Sequence, residues 1–188
     1  ENGALPAGVQ LELMPTIGYI SRQRLAEYAD PTRLQTEGGA SDAKPGSSDP
    51  FAAPGHTPDS GPSVPPGPIG QVSSETVAAG AEELSERIAR EMLQRFGGAD
   101  RVWWVHNHHV GKNPAFTRAL LHVAAHNQEQ RIVFHIHDFP ECARYANLRF
   151  LDTAGVGEMY PRRSNVHYAV INSRDRNILQ EAGVGPVT

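Results

Sequence analysis

Two short apolar runs that each empty into histidines interrupt a mostly helical rhythm in the second half of this chain. Val102-Trp103-Trp104-Val105 leads into His106-Asn107-His108-His109, and Ile132-Val133-Phe134 leads into His135-Ile136-His137-Asp138. Apolar runs of this length, bounded by polar residues, predict buried strands. Ahead of the first, Val77, Ala81, Leu84, Ile88 and Met92 recur at helical spacing, with Ser73 or Ser74 as the cap and Gly97-Gly98 as the stop. Between the runs, Asn113 and Pro114 supply an N-cap and a first-turn proline for the stripe Phe116, Ala119, Leu120, Val123. A weaker helix is expected around Cys142 to Leu151. Asn165 to Ile171 then reads as a strand, and Ser173 as the cap of a helix that passes Ile178 and Leu179 and ends at Gly183.

The first third follows other rules. Val9-Gln10-Leu11-Glu12-Leu13 alternates with period two, a half-buried strand broken by Pro15 and Gly18, and a short helix is expected from Ser21 through Leu25 and Tyr28 to Pro31. From 36 to 70 about half of the 15 prolines gather with Gly, Ser and Asp, and large apolar residues almost vanish. Such a stretch buries too little surface to offset its ordering entropy, so it is expected to be a disordered insertion or a mobile loop. The chain therefore divides into 1–35, an N-terminal strand and short helix; 36–70, the Pro/Gly/Ser-rich insertion; and 71–188, the main portion. Alternating strands and helices predict an α/β fold, a Rossmann-like parallel sheet with flanking helices.

Composition narrows the function more than the fold. The 188 residues carry a net charge of -4, which leaves no basic face for general nucleic-acid binding. No apolar run approaches the roughly 20 residues that span a bilayer, so no transmembrane segment is expected. Residues 1 to 20 lack the basic start and apolar core of a signal peptide. The lone Cys142 excludes an intrachain disulfide and a Cys-rich zinc site, and fits a reducing, cytoplasmic setting.

Ligands of parallel α/β sheets bind at the carboxyl ends of the strands, where both histidine groups lie. Strand alternation would put His106 and His108 on one face, with Asn107 and His109 on the other. His106 has two readings, a strand end packed under the sheet or a cleft residue. His108 and His109, beyond the apolar run, are expected to bind substrate. His135 is expected to be buried and His137 exposed, with Asp138 and Glu141 in the loop that follows. An imidazole can donate to a phosphate or sugar hydroxyl or carry a proton, and a carboxylate can accept from a sugar hydroxyl. Lys112 and Asn113 open a helix whose free N–H groups could hold an anion, although the segment lacks the glycine and hydroxyl of a P-loop. Arg144, Arg149, Arg162 and Arg163 read as solvated. His122 and His126, one helical turn apart without a zinc-protease motif, read as surface or packing residues.

In order, the strand ending Val105-His106-Asn107-His108, the helix after Asn113, the strand ending His135-Ile136-His137-Asp138, and Tyr168-Ala169-Val170-Ile171-Asn172-Ser173 before a helix resemble the amino-terminal domain of a GT-B-fold retaining glycosyltransferase of group 1. The resemblance covers about residues 70 to 188. It implies two Rossmann-like domains, the first holding the acceptor and the second the nucleotide sugar. It implies that His137 lies in the cleft near the transferring sugar with Asp138 beside it, both catalytic, and that Ser173 borders the cleft as a substrate-binding residue.

The donor-binding domain is not recognisable in this chain, so the chain alone is expected to be inactive. Its expected partners are a sugar or glycan acceptor, a nucleotide sugar held by the second domain, and a further copy of itself through the unpaired domain face. No covalent cofactor and no metal are expected for this chemistry, which rests on positioning and electrostatic stabilisation. Two alternatives remain open. One is a metal-dependent hydrolase using the His-x-His-Asp cluster; the other is a non-catalytic sugar- or nucleotide-binding module.

Overall fold

The computed structural model describes Met14, residues 17–30 and residues 72–188. The expected strand at Val9 to Leu13 and the insertion at 36–70 lie outside those residues. Five α-helices are described: α1 (Arg22–Tyr28), α2 (Ser74–Phe96), α3 (Pro114–His126), α4 (Tyr145–Thr153) and α5 (Ser173–Glu181), with a 3-10 turn at Pro140–Cys142. Three strands accompany them: β1 (Val102–His106), β2 (Arg131–Ile136) and β3 (Val166–Val170). The strands form one parallel sheet in the order β1-β2-β3. The protein is thus an α/β fold built on a parallel, Rossmann-like sheet, as the strand and helix periods predicted.

Four of the five α-helices begin where the sequence supplies a side-chain cap; α4, preceded by Arg144, has none. The Ser73 side chain accepts from Thr76 N–H at the start of α2, and Glu75 adds negative charge to that first turn. Asn113 accepts from Phe116 N–H at 3.0 Å to start α3, with Pro114 following. At α5 the cap is Asn172, accepting from Asp175 N–H at 2.9 Å, and Ser173 is already helical. The expected cap is therefore shifted by one residue, because two adjacent side chains were both competent acceptors.

The core lies between one face of the sheet and helices α1 to α3. Trp103 and Val105 of β1, with Ile132, Phe134 and Ile136 of β2, point into it and meet Leu84, Ile88, Ala119, Leu120 and Val123. Helix α2 packs against both α1 and α3. Gly80 makes the α1 contact possible, since a Cβ there would lie 1.6 Å from the Leu25 carbonyl oxygen. The opposite face of the sheet, carrying Val102, Trp104 and His106, is exposed among the described residues, with Trp104 at 56%. Beyond β3 the chain returns alongside it, as Tyr168 N–H donates to the Pro186 carbonyl and Thr188 N–H to the Tyr168 carbonyl, both at 2.9 Å. Among the described residues, no helix is long and apolar enough to cross a membrane.

Candidate functional site at the carboxyl ends of the strands

The parallel register pairs His106 with His135, so β1 and β2 end at the same level. Asn107 N–H donates to the His135 carbonyl at 2.9 Å as the last rung, and Asn107 then takes a φ of 46°. Its short amide tolerates this left-handed conformation better than most residues would. The amide also ties the two strand ends together. Asn107 Oδ1 accepts from His137 N–H at 2.7 Å and from Asp138 N–H at 3.4 Å, while Nδ2 donates to the Asp138 carboxylate at 3.4 Å.

That turn overrides strand alternation. His106 stays on the exposed face, whereas His108 and His109 both fold inward. The expectation that His106 and His108 share a face fails because alternation holds only while the backbone stays extended. His108 stacks on Phe134 with centroids 3.8 Å apart and donates from Nε2 to the Met159 carbonyl at 2.9 Å. Its own carbonyl accepts from Thr117 Oγ1 at 2.5 Å, fixing the loop onto α3. His109 is 0% exposed and lies beside Tyr160 and Phe139.

Burial sets the electrostatics of this pair. It lowers the His108 pKa to about 3, helped by the neighbouring His109 and opposed by the Met159 carbonyl. Burial also brings His109 down to about 4, partly offset by the backbone and carboxylate of Asp138. That backbone group is outside hydrogen-bonding geometry, since neither ring nitrogen of His109 has a hydrogen-bond partner among the described residues. Tyr160 donates to the Glu141 carboxylate at 3.0 Å, and burial, then that carboxylate, push its pKa well above the usual phenol value.

A cavity of about 370 Å³ opens at the strand ends, lined in part by Asn107, His108, Lys112, Asn113, Asp138 and Arg144. This lies within the range of about 300–1,000 Å³ typical of small-ligand sites. Its walls come from distant parts of the chain. Asn113 Nδ2 donates to the Gly18 carbonyl at 2.8 Å, and Ile20 N–H to the Lys112 carbonyl at 3.1 Å, which dock the segment before α1. Gly111, with φ of 74°, lets the loop pass Asn147, whose Nδ2 donates to the Val110 carbonyl at 2.6 Å. Arg144 donates to Asp138 at 3.1 Å, so it is part of the site rather than a solvated arginine.

On the outer face, three imidazoles converge. His106, His135 and His137 each offer a ring nitrogen, and these atoms lie within 4.8 Å of one another. Trp104 Nε1 donates to His135 Nδ1 at 3.2 Å from the same face. The His135 pKa is lowered, by desolvation first and then by His137 and His106. His137 is exposed as expected, but His135 is half-buried rather than buried, because it lies on the face of β2 opposite Ile132, Phe134 and Ile136.

Over 102 residues the chain is 39% identical to the mannosylglucosyl-3-phosphoglycerate synthase of Petrotoga mobilis. The match takes in 54% of this chain and 20% of that relative. No family model matches the chain. No solved structure matches it either.

Of the residues expected to act, His108, Lys112, Asn113 and Asp138 line the cavity together. His137 immediately precedes Asp138 but turns its ring toward His135 on the outer face. His109 is not among the lining residues and supports the loop from beneath. Ser173 is exposed at the start of α5, also outside that lining. The sequence reading missed Asn107 and Arg144 as site residues. The signal for Asn107 was its place between two histidine-bearing strand ends; for Arg144 it was the spacing of six residues from Asp138.

Proposed function

We propose that this chain is the amino-terminal, acceptor-side portion of a nucleotide-sugar-dependent glycosyltransferase of the retaining GT-B type, inactive without a second, donor-binding domain. The observation that supports the glycosyltransferase class is the 39% identity over 102 residues to a synthase whose name carries mannosyl and glucosyl units and phosphoglycerate; the retaining GT-B type and the acceptor-side role rest on the resemblance of the strand ends. The cavity at the strand ends supports it, because acceptors of this architecture meet the donor at that edge of the sheet.

The roles follow from the chemistry of the lining. Lys112, exposed at the mouth, supplies a positive charge to an anionic acceptor such as a phosphorylated acid. The Asn113 side chain is already committed to capping Phe116 N–H, so the anion is held by Lys112 more than by the helix start. Asp138 accepts from a sugar hydroxyl while Arg144 and Asn107 fix its carboxylate. His137, whose backbone Asn107 anchors, swings its ring toward the transferring sugar and donates to it, stabilising the charge that develops as the nucleotide leaves. His108 forms the cavity wall, His109 braces it, and Ser173, at the start of α5 and outside the cavity lining, borders the wider cleft toward the second domain. The nucleotide sugar is the donor, and no covalent cofactor takes part.

The test is transfer by the full-length protein, assayed with nucleotide sugars and a phosphorylated acceptor. His137→Ala should lower kcat about 10²-fold or more, the scale on which lost proton-transfer groups and oriented donors act. Lys112→Ala should chiefly raise KM for the anionic acceptor. Turnover by His137→Ala close to the parent would overturn the catalytic assignment, and absence of transfer from any nucleotide sugar would overturn the enzyme class.

A further inference from the structure

We propose that His106, His135 and His137 form a binding site for one transition-metal cation of the zinc class on the exposed face of the sheet. The evidence for the site is independent of the transferase reading, since it rests on strand register and nitrogen chemistry, but the site shares His137 with that reading. His106 and His135 are register partners on adjacent parallel strands, and His137 follows two positions later on the same face. Their ring nitrogens lie within 4.8 Å of one another, and His137 Nε2 is already 3.2 Å from a nitrogen of His135.

Simple geometry decides whether that spacing suffices. A tetrahedral zinc with nitrogens at about 2.05 Å sets them about 3.3 Å apart. The His135–His137 separation of 3.2 Å matches this distance, and because His137 Nε2 lies equally far from both nitrogens of His135, a ring rotation aims the two lone pairs at one ion. His106 and His137 are both exposed, so a change of side-chain rotamer can close the remaining gap, which is at most about 1.5 Å. Neutral imidazoles favour zinc, copper or nickel over magnesium or calcium, which prefer oxygen ligands. This ligand set differs from the His-x-His-Asp set of the hydrolase alternative: Asp138 is held by Arg144 beside the cavity, and His106 from the neighbouring strand supplies the third nitrogen. Three protein ligands leave a fourth position for water or a partner's side chain. A cation held there cross-links β1 to β2 and engages the imidazole of His137.

The Trp104 indole beside His135 provides a reporter, since a paramagnetic cation at this distance quenches its emission. The 188-residue chain, purified with a chelator and freed of it, is titrated with zinc by calorimetry and with nickel or copper by tryptophan fluorescence. One equivalent should bind, with quenching and a raised Tm, because a ligand selective for the folded state stabilises it. His106→Gln, His135→Gln and His137→Gln should each weaken binding at least about tenfold, as loss of one of three ligands implies. Circular dichroism confirms that each variant is folded; His106→Gln and His137→Gln change exposed side chains, so they serve if His135→Gln unfolds. The stacked pair His122 and His126 on α3 is the internal control, and His122→Gln/His126→Gln should leave the quenching unchanged. Failure of zinc to bind the parent, or binding that survives His106→Gln and His137→Gln or disappears with the His122/His126 double variant, would overturn the proposal.

Discussion

Replacing His109 by Leu should flatten the fall in stability between pH 7.5 and 5. His109 is 0% exposed, and burial holds its pKa near 4 against an ordinary value of 6.5. In the unfolded chain the ring takes up a proton as pH falls through 6.5; in the folded chain it does not until near 4. The folded-state pKa is depressed and the group charges on protonation, so its contribution is intact above 6.5 and is lost between 6.5 and 4. Each pH unit in that window costs about 1.4 kcal/mol per imidazole. From 6.5 down to 5 the loss is about 2 kcal/mol for His109, a sizeable part of the roughly 5–15 kcal/mol that holds a typical domain together. His108, lowered to about 3, adds a similar loss over the same interval and remains in the variant.

Leu is the informative replacement because neither nitrogen of His109 has a hydrogen-bond partner among the described residues. An apolar side chain then removes a buried polar group without breaking a hydrogen bond, so stability at pH 7.5 should hold or rise by about 1 kcal/mol. Urea unfolding at pH 7.5, 6 and 5, with the slope m checked for constancy, gives the free energy at each pH. The variant should lose about 2 kcal/mol less than the parent over that range. Equal losses in the two proteins would refute the assignment of a buried, depressed imidazole at 109, whatever the absolute stabilities.

Two further substitutions probe the scaffold. Asn107→Gly keeps the left-handed turn but loses the 2.7 Å bond to His137 N–H, and should cost about 1–2 kcal/mol; Asn107→Ala adds the strain of φ 46° and should cost about 1 kcal/mol more, read by the same urea titration. If Ala were no worse than Gly, backbone strain would not be the reason for asparagine here. Gly80→Ala places a Cβ 1.6 Å from the Leu25 carbonyl oxygen, so α1 must retreat, and thermal melting should show a loss of about 1–3 kcal/mol. An unchanged Tm would mean that α1 is not held against α2.

The fold was legible because its elements keep their periods over enough residues. Helix α2 repeats its apolar positions from Val77 to Met92, and β2 places Ile132, Phe134 and Ile136 on one face without interruption. Asn113-Pro114 announced the start of α3 since a competent cap and a fixed φ act locally. Ser173 misled for the same local reason: Asn172, one residue earlier, is an equally good acceptor, and only the backbone path chooses between them. What periodicity could not reveal is where it stops, and at Asn107 one positive φ reverses the inference for both following histidines.

The site was less legible because its geometry belongs to pairs of strands. Nothing local brings Asn107 to His137 N–H, which needs the level ends that the register of β1 and β2 creates, whereas Arg144 reaches Asp138 within the loop that follows β2. Yet that register had a trace in the sequence. From Val102 to His106 and from Arg131 to His135 the offsets are equal, so parallel pairing of the two strand starts necessarily aligns the two histidines. Five histidines then divide at one backbone turn, with His106, His135 and His137 converging outside and His108 and His109 beneath the cavity. The outer three keep nitrogens available to a ligand, while the inner two stay uncharged near neutral pH and act as wall and support. A cluster that reads as one motif along the chain thus supplies an outer trio and an inner pair that meet at two residues: His106 also lines the cavity, and His137 turns its ring to the outer trio while its backbone is held by the residue that shapes the cavity.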